Sequence, residues 1–357
     1  MPVRNRPARG APHNRRSQRF ALPALEEDGD WLDARAAIDG PMPPVRTTVT
    51  IERARTIIST NTSPDIPFDR SINPYRGCEH GCIYCFARPS HAYHDLSPGL
   101  DFETRLFAKP DAAALLRAEL SRKSYQPSTI AFGTNTDPYQ PIERDWRITR
   151  QCLEVLAACH HPLTITTKSD RVVRDIDLLA PMAERGLVAV AMSITSLDPK
   201  IAMTIEPRAP HPEKRLSAVR ALAEAGIPTW VSIAPIIPAI TDHEIEHLLA
   251  RAAHAGAVGA TFIAVRLPWE VAPLFRAWLD EHFQERAAKV MAIIQSLRGG
   301  RDNDPDFGTR MRGQGVWGDL LRTRFQRACT IHGLDRARPA LRTDLFRPPP
   351  GQQGELF

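Results

Sequence analysis

Between residues 128 and 268, five apolar runs rich in β-branched residues recur at nearly even spacing: "STIAFGT", "LTITTKS", "LVAVAMSIT", "TWVSIAPII" and "ATFIAVRLP". The segments between them, "ITRQCLEVLAACHH", "VVRDIDLLAPMAERG", "HPEKRLSAVRALAEAG" and "TDHEIEHLLARAAHAG", place apolar residues at helical spacing, often with a glycine stop. Strands separated by helices of this length cannot pair as hairpins and have to lie parallel. A further strand near "FDRSIN" brings the count to six βα units between residues 64 and 297, the spacing of a barrel or partial barrel.

Several of these runs end in polar or turn-forming residues, as in "GTNTDPYQ", "TKSD" and "SITSLD". A barrel of parallel strands carries its chemistry at that C-terminal rim. Outside the repeat the composition changes. Residues 1–63 read as a basic, partly disordered extension, 64–297 as the core barrel, and 298–357 as an Arg-rich appendage. The formal charge of +5 and the arginines at both ends leave nucleic acid open as a partner. Arg15 and Arg16 are followed by "ALPALEEDGD" in place of an apolar signal segment, and no stretch has the ~18 uninterrupted apolar residues of a membrane span. The expectation is a cytoplasmic protein with no membrane partner.

Three of the six cysteines fall inside "YRGCEHGCIYC". Cys78, Cys82 and Cys85 form C-x3-C-x2-C, and three thiolates at that spacing can hold three irons of a [4Fe–4S] cluster and leave the fourth iron open. A zinc site completed by His80 or His91 and a set of structural cysteines are the alternatives.

The cysteine loop, with Tyr84 before its third cysteine, resembles the signature of the radical S-adenosylmethionine (SAM) superfamily over roughly residues 64–297. "INPYRGCEHGCIYCFAR" followed by "FGTNTDPYQPIE" resembles the branch that contains spore photoproduct lyase. The resemblance implies an α/β fold, a partial (βα)6 TIM-type barrel of parallel strands with N- and C-terminal extensions. It also implies a [4Fe–4S] cluster on Cys78, Cys82 and Cys85, with SAM on the fourth iron. SAM cleavage then starts hydrogen abstraction from a substrate, with a reduced flavodoxin- or ferredoxin-type protein as electron donor. Carried over by position, Tyr84, Thr136, Lys168 and Ser193 join the cofactor site; no catalytic residue is assigned.

Two positions depart from that branch: Thr134 and Phe86 stand where it carries a hydrogen-donor cysteine and a tyrosine. Thr134 is a poor hydrogen-atom donor and Phe86 has no phenolic hydrogen, so photoproduct repair is not the expected reaction. A nucleic-acid modification or repair enzyme of lyase type, and an iron–sulfur binding or electron-transfer protein that does not cleave SAM, stand as alternatives. "HEIEH" (243–247) matches a zinc-protease pattern but reads as an ordinary helix start. Cys152 and Cys159 share a helical face and read as core. Asp137, Glu143 and Arg266 lie where they could meet SAM or substrate, or brace turns and the rim.

Overall fold

The computed structural model describes residues 9–15, 17, 19–20, 45–338 and 340–349. Most of the basic N-terminal stretch and the final residues lie outside the described residues. The strands are β1 (Thr48–Ile51), β2 (Ile58–Thr60), β3 (Arg70–Ile72), β4 (Tyr75–Arg76), β5 (Arg105–Ala108), β6 (Ile130–Phe132), β7 (Leu163–Thr167), β8 (Val188–Ser193), β9 (Thr229–Ile236) and β10 (Gly259–Ala264).

The main sheet runs in the order β10-β9-β8-β7-β6-β3-β2. Each pair from β3 to β10 is parallel, and β2 lies antiparallel on the edge. Every parallel strand therefore sits beside the next one in the chain, the order in which a partial barrel is wound. The five runs named from the sequence and "FDRSIN" supply these six strands. β9 shows why they were legible: seven of its eight residues are buried, as a strand covered on both faces requires. A second sheet, β1-β5-β4, packs beside the first.

The helices Ile148–Ala158, Ile176–Glu184, Pro212–Glu224 and Ile245–His254 follow β6, β7, β8 and β9 as the spacing predicts. Gly186, Gly226 and Gly256 stand just past three of them. Cys152, Cys159 and Cys329 are free and buried in the main apolar core, the structural reading of the first two.

The sheet starts earlier than residue 64, because β2 belongs to it. Three residues on an edge, none of them buried, leave no apolar run to read. The described part of the C-terminal segment packs against the core. Helix Gly315–His332 packs on Ile245–His254, and the chain beyond it runs under the sheet, where Arg342 N donates to Gly186 O (3.0 Å) and Arg347 N to Cys159 O (2.8 Å). Upstream, the 301–313 loop reaches the opposite end of β10: Ala264 N donates to Met311 O, and buried Arg298 donates to the carbonyls of Ala264, Val265, Thr309 and Arg310.

A candidate cofactor site at the barrel rim

The cysteines occupy the loop between β4 and a short 3-10 helix, Arg88–His94. Cys78 and Cys82 are buried and Cys85 is half-buried. The loop is pinned along its length. Cys78 N donates to Phe102 O (2.9 Å), Ile83 N to Ile205 O (3.0 Å) and Cys85 N to Cys82 O (3.2 Å). The Gln140 amide accepts from Glu79 N (2.9 Å) and donates to Gly77 O (3.1 Å). Arg88, wholly buried, donates to Cys82 O (2.9 Å) and Gly81 O (3.0 Å). Gly77 and Gly81 take φ of 71° and 68°, a region that side chains disfavour, so the tight path needs glycine at both places.

Burial pushes the Cys82 thiol up to about 12, with nearby Lys168 pulling the other way, and burial together with Asp137 and Cys82 pushes Cys78 well up. Protein surroundings alone therefore leave these thiols protonated, and a bound cationic metal group is what would make them thiolates. Among the described residues no three His, Cys, Asp or Glu side chains are gathered closely enough for a single metal ion. His91 lies with its Nε2 2.9 Å from Arg105 O.

Thr136 lies in the loop after β6, Lys168 directly after β7, and Ser193 at the last position of β8. The Thr136 hydroxyl donates to Tyr75 O (3.3 Å) and the Ser193 hydroxyl to Ala234 O (3.4 Å), leaving both oxygens free to accept. Lys168 lies 5.8 Å from the Tyr84 ring centre. Burial opposes its charge, but the anionic forms of Cys82 and Glu206 outweigh that and hold it above the ordinary ammonium range.

Three partners went unseen in the sequence: Thr195, Glu206 and Arg215. Glu206 is 2% exposed and forms an ion pair with Arg215 at 2.5 Å. It also accepts from the Thr195 hydroxyl (2.7 Å) and from the Tyr84 hydroxyl. Burial would raise its pKa, yet Arg215, Lys168 and these hydroxyls hold it down at about 2. Thr195 could have been found, since it is two residues beyond Ser193 and so on the same side of an extended chain. Glu206 and Arg215 carried no such periodicity.

Several polar residues take up bracing roles. Asp137 accepts from Thr167 Oγ1 (2.7 Å), Lys168 N (2.7 Å) and Tyr139 N (2.9 Å), so it ties the β6 loop to the end of β7. Glu143 is wholly buried and receives Tyr75 OH, Thr149 N and Arg174. In "HEIEH", His243 and His247 are exposed, and Glu244 accepts from Ser196 Oγ (2.7 Å) and Leu197 N (2.5 Å), so the pattern serves a turn. On the open side of the rim, Phe86 is 48% exposed and lies under Arg266, whose guanidinium carbon is 4.9 Å from the ring centre.

The sequence profile of the radical SAM superfamily matches residues 72–252, a span that begins in β3 and carries the cysteine loop and strands β6 to β9. This chain belongs to the radical SAM superfamily. An uncharacterized protein of Mycobacterium tuberculosis (strain ATCC 25618 / H37Rv) is 38% identical over 281 residues, 77% of this chain and 80% of that one. An uncharacterized protein of Methanocaldococcus jannaschii is 32% identical over 173 residues, 48% of this chain and 62% of that one. Spore photoproduct lyase complexed with dinucleoside spore photoproduct superimposes with a TM-score of 0.56 at 17% identity, covering 80% of this chain and 79% of that one, a likeness of fold. The protein is thus a radical SAM enzyme with SAM and an iron–sulfur cluster as cofactors, acting on a substrate with electrons from a donor. Membership sets aside the electron-transfer alternative. Among the described residues no helix is long and apolar enough to cross a membrane.

Proposed function

We propose that Cys78, Cys82 and Cys85 hold a [4Fe–4S] cluster, and that Tyr84, Thr136, Lys168 and Ser193 seat SAM against it within a partial (βα)6 barrel. One observation carries this reading: two buried thiols and one half-buried thiol share a single pinned loop, Cys82 among them lies within electrostatic reach of Lys168 and Glu206, and no fourth thiol shares that loop. When bound, the two cofactors supply reductive cleavage of a carbon–sulfur bond and a radical that takes hydrogen from the substrate. The chain's own residues bind and orient. Lys168 offers a cation to a carboxylate, the free lone pairs of Thr136 and Ser193 accept from hydroxyl or ammonium groups, and Tyr84, fixed by Glu206 and Thr195, walls the pocket. The apolar packing of Ile83, Val265 and Leu267 beneath the loop keeps water from that side.

Anaerobic reconstitution with iron and sulfide, reduction, addition of SAM and an assay for 5′-deoxyadenosine test the reading. The nucleoside is expected, with a change in the reduced cluster's paramagnetic signal on SAM binding; a normal cluster with neither would overturn it. Cys82→Ala is expected to abolish cluster assembly and Cys152→Ala to preserve it. Equal loss from both would show that the ligands are misassigned.

A second reading, nucleic-acid modification, is favoured by Arg266, which lies on exposed Phe86 and has no carboxylate partner among the described ion pairs. A cation beside an open aromatic face suits a phosphate next to an unstacked base. The spore photoproduct lyase of known structure takes a dinucleoside photoproduct. Here Thr134 is paired with Asn73 (3.2 Å) and Phe86 lacks a hydroxyl, so the reaction proposed is a different one. Binding of a labelled single-stranded oligonucleotide should weaken steeply with salt. A flat salt profile, or equal binding by Arg266→Gln, counts against it. A cytoplasmic location and a flavodoxin- or ferredoxin-type donor complete the proposal.

A further inference from the structure

The described N-terminal residues run across the outer side of the cysteine loop. Gly10 N and Ala11 N donate to the two oxygens of the Glu103 carboxylate at 2.9 and 2.7 Å. The same carboxylate takes Arg88 at 2.5 Å, and neither side chain has any exposure. Arg88 in turn grips the carbonyls of Gly81 and Cys82. One buried carboxylate therefore links the N-terminal segment to the stretch that carries Cys82.

Contact is closest at Gly10 and Ala11, the two buried residues of the segment. A Cβ placed on Gly10 would stand 1.6 Å from Gly81 O, so the two backbones touch with no room for a side chain. Ala11 is fully buried in the same apolar group as Cys82, Ile83 and Tyr84. Arg9 reaches Glu103 O (3.0 Å), Val45 O (2.8 Å) and Thr47 Oγ1 (3.1 Å). Asn14 exchanges hydrogen bonds with Asp101 (3.0 and 2.9 Å), and Arg15 N donates to Ser97 Oγ (2.8 Å).

A buried ion pair is a poor device for stability alone, since the desolvation cost rivals the attraction. Its strength is in fixing one arrangement, and what it fixes here is a two-glycine loop that has little rigidity of its own.

We infer that residues 9–15 form a clasp, keyed by Glu103, that holds the cysteine loop in its metal-binding shape and shields Cys82 from solvent. The iron–sulfur part of this inference rests on the ligand set proposed above; the shielding of the thiol does not. The clasp opens and closes by local fluctuation, so weakening it raises access to the loop without unfolding the sheet.

Gly10→Ala is the direct test, because the added methyl displaces the clasp while leaving Glu103 and Arg88 paired. In the cluster-free full-length protein, iodoacetamide labelling is followed by mass spectrometry at Cys82 and, as the gauge of global opening, at Cys152. Cys82 is expected to label about tenfold faster in the variant with Cys152 unchanged. Arg9→Ala, which cuts a tether without adding bulk, is expected to act in the same direction by about threefold. In the reconstituted protein, release of iron to bathophenanthroline disulfonate should accelerate in the same order. Unchanged Cys82 labelling in both variants, or Cys82 and Cys152 rising together, would overturn the clasp. Failure of the unaltered protein to take up any cluster would instead refute the ligand set and leave the labelling result to stand.

Discussion

A carboxylate sealed from water must be held by other groups, and Glu206 is held by Arg215, Thr195 and Tyr84. Glu206→Gln would leave Arg215 buried with no counter-charge. A loss of about 3–5 kcal/mol in unfolding free energy is expected from denaturant titration, against a small effect from Glu213→Gln in an exposed pair. At this scale the sequence was legible where chemistry is local. Three thiols in eight positions reveal themselves by spacing, and Lys168 by its place after a strand. The Glu206–Arg215 pair did not, because its meaning lies in a contact between a helix end and a later helix, and opposite charges at that separation are commonplace. The Gly10–Glu103 contact was invisible for another reason: the donors are backbone N–H groups, which every residue but proline has.

Among the elements, β7 shows how a strand is fixed at both ends. At its rim end Asp137 clamps Thr167 and Lys168; at its base His161 is enclosed, with Tyr125 OH 2.7 Å from Nε2 and Pro162 O 3.0 Å from Nδ1. Burial lowers the His161 pKa to about 4, as it does for His91. Unfolded histidine takes a proton near 6.5, so between pH 6.5 and 4 the unfolded chain binds more protons than the folded one. Stability is therefore complete above about pH 6.5 and falls as pH drops toward 4, by roughly 3 kcal/mol for each of the two rings at most. Denaturation midpoints measured across that range should show the decline. His161→Asn should remove about half of it, His91 keeping the rest, and a slope identical to that of the unaltered protein would show that the His161 ring titrates normally. The strands and helices were readable because burial on both faces leaves long apolar runs. β1, β2 and the clasp were not, being short, edge-placed or made of backbone contacts.

Among the described residues the apolar interior falls into a sheet–helix core, a second group that joins the cysteine loop to the ends of β9 and β10, and a small third one of Cys78, Ala87 and Phe102. Trp278 anchors the second group, 1% exposed, with its indole N–H on Thr204 O (3.1 Å). Trp278→Ala is expected to cost about 3–5 kcal/mol and to impair cluster uptake as well as stability, measured as iron content per folded chain. Full iron content in that variant would separate the two groups. The rim is also joined across its open side. Arg310, on the loop beyond the last strand, makes a two-pronged ion pair at 2.6 Å with Asp65, which precedes β3. During synthesis the chain emerges from its N-terminus, and Asp65 waits through 245 further residues before its partner exists. The mouth of this enzyme is therefore finished late: a nascent chain can lay down every strand of its sheet and still lack the fastening that gives the opening its final outline.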